Sequence, residues 1–197
     1  MSIGMFIDGA YVSKVYRARI DYLALHTILE KEIGDTVDEA YYFDSDDDPP
    51  KAAKLHNKLA YAPPNGPGLR GKIYWLHKRL LTWPMAMGGA PVMHPTLNKQ
   101  FELVTQKAVD VGLVYHLTRS FHKRKWTKLV LAAGDADFHE PVQNLVESEN
   151  VELFLVGTTG SISQELRPYA RRLFEIDKDP LRANLQLKVD PKAPAGS

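Results

Sequence analysis

The stretch Leu129-Val130-Leu131-Ala132-Ala133-Gly134-Asp135-Ala136-Asp137-Phe138 constrains this chain more than any other. An apolar run stops at Gly134, and the carboxylates Asp135 and Asp137 follow. A run of this kind closed by glycine predicts a buried parallel strand that ends in a tight turn. The turn carries both acids to the strand's C-terminal edge, where open α/β sheets bind ligands. Two acids one residue apart repel each other unless a cation or a proton sits between them. The hard cations suited to such oxygen ligands are Mg²⁺ and Mn²⁺.

The pattern recurs near the N-terminus, where Ile3-Gly4-Met5-Phe6-Ile7 leads into Asp8-Gly9. Asp110 lies in Lys107-Ala108-Val109-Asp110-Val111-Gly112-Leu113-Val114-Tyr115-His116-Leu117, which reads as the start of a helix. Val109, Leu113 and Leu117 share one face at i, i+4, i+8 spacing, with Asp110 at its edge. A carboxylate in the first turn is also favoured by the helix dipole.

The remaining elements follow from periodicity. Strands are expected over Ile3–Ile7, Val37–Phe43, Leu129–Ala133 and Val151–Val156, with a short last strand at Phe174-Glu175-Ile176. Helices are expected over Asp21–Ile33, from Pro49 to Leu59, over Arg70–Leu81 (Ile73, Leu76 and Leu80 at helical spacing), from Pro141, and over Ser163–Leu173. Ala62–Gly68 is a loop by composition, and Trp83–Met93 reads as a hairpin around Gly88-Gly89. Strands alternating with helices imply an α/β fold: a mainly parallel sheet with helices on both faces. The domain is expected to span 1–178, with 179–197 as a mobile tail rich in Pro, Ala and Gly.

The 197 residues suit one domain with a sizeable core. Cysteine is absent, which excludes disulfides and thiolate metal sites and is compatible with a reducing cytoplasm. No apolar run is long enough to span a membrane, and the first strand begins almost at Met1 with no leader pattern before it. A cytoplasmic protein without a membrane partner is therefore expected. The net charge of +1 argues neither for nor against nucleic acid. The segment Arg119–Lys128 is basic, carries Lys123 and Arg124, and interleaves Phe121 and Trp126. It reads either as a track for a phosphate backbone with stacking rings or as a solvated loop.

Three blocks resemble those of NYN domains: Phe6-Ile7-Asp8-Gly9, Lys107-Ala108-Val109-Asp110-Val111, and Gly134-Asp135-Ala136-Asp137-Phe138 followed by Pro141. These domains belong to the PIN-like nuclease superfamily, and the chain looks most similar to the LabA-like (DUF88) branch. The resemblance covers Ile3 to Ile176. It implies a Rossmann-like PIN/NYN fold and a ribonuclease dependent on Mg²⁺ or Mn²⁺, with RNA as partner. Carried over, the acidic pocket falls on Asp8, Asp110, Asp135 and Asp137. Asp8 and Asp135 are expected as direct ligands, and Asp110 and Asp137 through water or on the nucleophile. The chemistry agrees, because phosphodiester hydrolysis needs charge neutralised, a water activated and a leaving oxygen stabilised.

The chain departs from the family pattern at Tyr11, where the family has Asn, and at His116, where it often has Asp. These departures keep a second reading open: a non-catalytic NYN module that binds RNA or a partner protein. Lys107 reads as a phosphate contact or a surface lysine. Thr158 and Ser161, after the strand at 151–156, read as phosphate holders or as a capping loop. The acidic run Asp44-Ser45-Asp46-Asp47-Asp48, at the end of the second strand, reads as a solvated turn or as the source of a further ligand. The apolar groups from Tyr74 to Met87 exceed what a connection needs, so a homodimer is expected.

Overall fold

The computed structural model describes residues 2–16, 20–56, 69–106, 108–178 and 181–185. The central strand, β1 (Ser2–Asp8), is flanked by β2 (Thr36–Asp46) and β5 (Lys128–Ala132), parallel to both. Beyond β5 come β6 (Glu152–Gly157) and β7 (Ala170–Glu175); beyond β2 come β3 (Leu69–Leu80) and β4 (Glu102–Gln106). The sheet has seven strands in the order β4-β3-β2-β1-β5-β6-β7, and every pair is parallel except β3–β4. Without β4 the order is that of a doubly wound sheet. The antiparallel edge departs from a strict Rossmann pattern, and so does the passage from β6 to β7. That passage contains only a 3₁₀ turn, Arg167–Tyr169.

Both faces are covered, as a parallel sheet requires. On one face Ile3, Met5 and Ile7 pack with Val12 of α1 (Gly9–Val15), Leu25 and Leu29 of α2 (Tyr22–Ile33), and Leu185. On the other, Phe6, Phe43, Leu129 and Leu131 pack with Val109, Leu113 and Leu117 of α4 (Val109–Arg124) and Val142 of α5 (His139–Gln143). The shorter α3 (Pro49–His56) precedes β3. Local chemistry sets the ends of α2. Asp21 Oδ1 accepts from the backbone N–H of Leu23 and Ala24, both at 3.0 Å, and Gly34 closes the helix at φ 75°.

One polar network crosses the second core. Glu39 is buried, and its carboxylate accepts from Ser120 Oγ at 2.6 Å, Tyr41 Oη at 2.8 Å and Arg70 Nη1 at 2.8 Å. Ser120 in turn accepts from Trp126 Nε1 at 3.0 Å. The network ties α4 to β2, β3 and the entry to β5.

The expected β1, α2, β2, β5, β6 and the α4 face are all present, and so is the turn around Gly88-Gly89. Thr82 and Pro91 bridge antiparallel across it. Two expected helices are strands instead. Arg70–Leu81 forms β3, because Asp44, Ser45 and Asp46 of β2 pair with Ile73, Tyr74 and Trp75. Ser163–Leu173 gives way to the 3₁₀ turn and β7, which pairs with β6 from Leu153 onward. β4 lies where only a connection was expected. Residues 181–185, within the expected tail, form α6 (Leu181–Leu185), whose Leu185 is fully buried and whose carbonyl accepts from Asp21 N at 2.8 Å. The loop at 62–68 and residues 186–197 lie outside the described residues.

Candidate functional site

The sheet's C-terminal edge gathers the acids. Asp8 ends β1 and caps α1, its Oδ1 accepting from Tyr11 N at 3.0 Å. It is 7% exposed. Burial pushes its carboxyl up to about 6, and the charges of Asp110 and Asp44 push the same way, against hydrogen bonds from the Tyr11 and Ala10 backbone. Asp110 sits in the first turn of α4 and is also raised, first by burial, then by Asp135 and Asp137. Asp135 and Asp137 follow β5, where Asp135 Oδ1 accepts from Asp137 N at 3.2 Å and starts a 3₁₀ turn over Ala136–Phe138. Asp110 therefore lies within electrostatic reach of Asp8 and of Asp135 and Asp137.

The chain enters α4 through Ala108 at φ 69°, a left-handed conformation that costs a non-glycine residue roughly 1 kcal/mol or more. Strain of this kind, two residues from Asp110, is held only because the surrounding packing over-determines it.

Asp44 is a fifth acid at this edge, the further ligand that the acidic run offers as the alternative to a solvated turn. β2 continues through it to Asp46. Tyr42 Oη donates to Asp44 Oδ2 at 2.8 Å and fixes it on the Asp8 side. The rest of the run is structural: Asp46 and Asp48 accept turn and helix-start amides, and Asp47 pairs with Lys78.

Tyr11 fills the ground beside these acids. Its ring lies over Gly134 and Gly157 at the ends of β5 and β6. A Cβ on Gly134 would overlap Tyr11 Cε2, and one on Gly157 would overlap its hydroxyl. Tyr11 Oη and Ser161 Oγ are 2.5 Å apart. Ser161 also accepts from Thr158 N and donates to Thr158 O, so its hydroxyl is engaged within the loop. The buried Thr158 precedes Thr159, whose amide donates to Asp177 and whose hydroxyl donates to Glu175. Two carboxylates at this loop oppose a phosphate there.

Lys123 and Arg124 end α4 at the opposite edge of the sheet, where β5 begins. Asp110 and Arg124 are fourteen positions apart on one helix, which is about 21 Å. The rings among these cations are core: Phe121 is 5% exposed and Trp126 is 0% exposed. Lys107 lies outside the described residues. His116 packs against the Tyr41 and Phe43 rings at 5.2 and 5.8 Å, and its imidazole is held low by burial, then by Lys72 and Arg119. His139 Nε2 lies 3.3 Å from Tyr169 Oη, which ties α5 to the entry of β7.

The donor set is all oxygen and repels itself, the chemistry that a hard divalent cation relieves. Among the described residues, no group of three or more His, Asp or Glu side chains stands close enough to hold a metal ion alone. No helix of the described residues is long and apolar enough to cross a membrane.

Comparison with known proteins gives the same picture. No curated protein matches the chain. The fold is similar to the crystal structure of a protein of unknown function from Vibrio parahaemolyticus, at 18% identity and TM-score 0.59, covering 94% of this chain and 96% of that one. The NYN domain profile matches residues 2–177, which is most of the sequence. The chain belongs to the NYN domain family.

Proposed function

We propose that this protein, a member of the LabA-like branch of the family, is a metal-dependent ribonuclease. It cleaves RNA phosphodiester bonds at the edge formed by Asp8, Asp110, Asp135 and Asp137. One observation carries the reading: Asp8 and Asp110 are both raised, first by burial and then by neighbouring acids, with Asp110 acting on Asp8, and Asp135 and Asp137 acting on Asp110. Natural sequences keep such repulsion where a function needs it. Asp8 and Asp135, at the ends of neighbouring strands, are the residues that would hold Mg²⁺ or Mn²⁺. Mg²⁺ keeps several waters and takes one or two carboxylates plus substrate phosphate oxygens, which suits acids that do not converge on one point. When bound, the cation supplies positive charge to the phosphate oxygens and acidifies a water. Without the cation, Asp8 has a carboxyl near 6 and holds or releases a proton close to neutral pH; bound to the cation it would be ionised. Asp110 and Asp137 would bind the cation through water or orient the attacking water.

Purified protein incubated with labelled RNA tests this. Cleavage in Mn²⁺ that disappears in EDTA and in Asp135→Asn supports it; cleavage equal to that of Asp135→Asn refutes it.

A second reading has its own support. Tyr11 and His116 occupy family Asn and Asp positions and serve packing here. A non-catalytic module that binds RNA or a partner protein would need neither. It predicts no rise in melting temperature at millimolar Mn²⁺, whereas a real metal site stabilises by mass action.

We also propose that the protein is a homodimer built through the arm that rises from β3. Past Trp75, its last residue paired to β2, β3 runs on to Leu80 and pairs only with β4. Met85, Met87 and Trp75 on this arm are 87%, 69% and 58% exposed, and Leu103 and Val104 of the terminal strand β4 are also exposed. An antiparallel edge strand is self-complementary, so a second β4 about a two-fold axis continues the sheet and covers the apolar groups. A monomer mass by light scattering at high concentration refutes it.

A further inference from the structure

The strip between α4 and β3, on the face of the sheet that α4 covers and here called the trough, gathers side chains around the buried Tyr41 ring. His116 sits 5.2 Å from that ring, the Arg70 guanidinium 5.8 Å and the Lys72 ammonium 6.0 Å. One wall is α4, brought close by Gly112, where a Cβ would overlap the Tyr74 hydroxyl. On the same helix Val111, Tyr115 and Arg119 recur at i, i+4 and i+8, one residue on from Asp110. Tyr115 is 57% exposed and meets His116 edge-on at 5.2 Å.

The charge in this trough is one-sided. Its acid, Glu39, is buried and already bonded to Ser120, Tyr41 and Arg70. Among the described residues neither Lys72 nor Arg119 has an ion-pair partner. Arg70, although paired with Glu39, keeps a side chain 54% exposed. Along the α4 axis Arg119 is about 14 Å from Asp110, and nine residues put the two on opposite sides of the helix, so a strand in the trough meets the acids over the helix N-terminus. Cations for phosphates, interleaved with an exposed ring on which a base can stack, are what sequence-tolerant single-strand recognition uses.

We propose that the trough between α4 and β3 is a track for single-stranded RNA, with Arg70, Lys72 and Arg119 on phosphates and Tyr115 as the stacking platform. The track delivers the strand to the acids at the head of α4. It rests on the reading of that edge as a ribonuclease site, and it places the substrate on the β3 side rather than at the Thr158–Ser161 loop.

The test is binding of a short fluorescein-labelled oligouridine by anisotropy, in EDTA, across a salt series. Arg119→Gln is an exposed helix substitution that leaves the core untouched. It is expected to lower affinity several-fold and to reduce the slope of log K against log salt by about 0.7, one phosphate contact's share. Tyr115→Ala is expected to lower affinity roughly tenfold with the slope unchanged. Lys31→Gln, an exposed cation on α2 across the sheet, is the control and is expected to bind as wild type. Wild-type affinity and slope in both trough variants, or an equal loss in Lys31→Gln, overturns the track. Losses confined to the trough variants, in a protein that shows no Mn²⁺-dependent cleavage, keep the track and sink the ribonuclease. Cleavage by wild type with unchanged KM and unchanged binding in Arg119→Gln and Tyr115→Ala sinks the track alone.

Discussion

Asp8→Asn is expected to stabilise the metal-free protein at neutral pH and to do nothing for it in acid. The folded carboxyl titrates near 6 against an ordinary 3.8, so the folded state holds its proton more tightly than the unfolded state does. Stability contributed by Asp8 is therefore complete below pH 3.8 and falls as pH rises toward 6. Above that, the ionised group costs the fold about 3 kcal/mol, taken at 1.36 kcal/mol for each tenfold change in proton affinity. Asp8 is almost fully buried, so solvent does not screen this cost away. Asparagine caps a helix as well as aspartate does, and its side-chain oxygen still accepts from Tyr11 N. The cap therefore survives while the charge goes. In urea titrations with EDTA, wild type and Asp8→Asn should coincide near pH 4. They should separate through pH 6, with the variant ahead by about 1–3 kcal/mol at pH 8. For a domain of this size that is roughly 3–10 °C in Tm. A gap that does not change with pH, or a variant less stable at pH 8, refutes the argument that burial and like charges strain this carboxylate.

Other substitutions test neighbouring parts. Ser120→Ala leaves Trp126 Nε1 and one Glu39 oxygen buried without partners, and should cost about 2–4 kcal/mol by urea unfolding. Gly134→Ala drives a Cβ into the Tyr11 ring and the Ser161 carbonyl; it should lower Tm by several degrees or prevent folding. Gly160→Ala meets open space but keeps φ at 80°, and should cost only about 1 kcal/mol. Tyr11→Phe removes the contact with Ser161 and should cost about 1 kcal/mol with the ring's packing kept. Leu103→Lys with Val104→Lys on the arm should shift a dimer to monomer by sedimentation without lowering monomer Tm.

The sequence made the centre of the sheet legible because burial there is two-sided and its signal is unmixed. Ile3 to Ile7 and Leu129 to Ala132 are continuous apolar runs, each followed by an acid and a glycine, and they became β1 and β5. The α4 face was legible because Val109, Leu113 and Leu117 repeat without interruption. β3 was misread because Ile73, Leu76 and Leu80 mimic a helical repeat. Only its first half borders a covered strand, so the alternation that marks a strand is weak there. β7 was misread because its outer residues Arg171 and Arg172 are solvent-facing at the sheet's edge, while Phe174 alone is deeply buried. Asp44 was hidden by its neighbours. Which of five nearby acids and polar residues faces Asp8 depends on how far β2 extends, and pairing with β3 decides that.

Under the proposed function, Tyr11 sets the side from which the acidic edge is reached. A small amide at this position would leave the space above Gly134 and Gly157 open, and a strand of substrate could lie across the ends of β5 and β6. The Tyr11 ring fills that space, its hydroxyl meets Ser161, and the loop beyond is closed by Thr158 and faced by Glu175 and Asp177. In the proposed arrangement both packing and charge set this side against a polyanion. On the β3 side lie Lys72, Arg119 and Tyr115, beside Glu39, which is buried and bonded. The exchange of an amide for a phenol therefore need not silence the acids. In the arrangement proposed above it redirects approach to them, toward the trough on the β3 side.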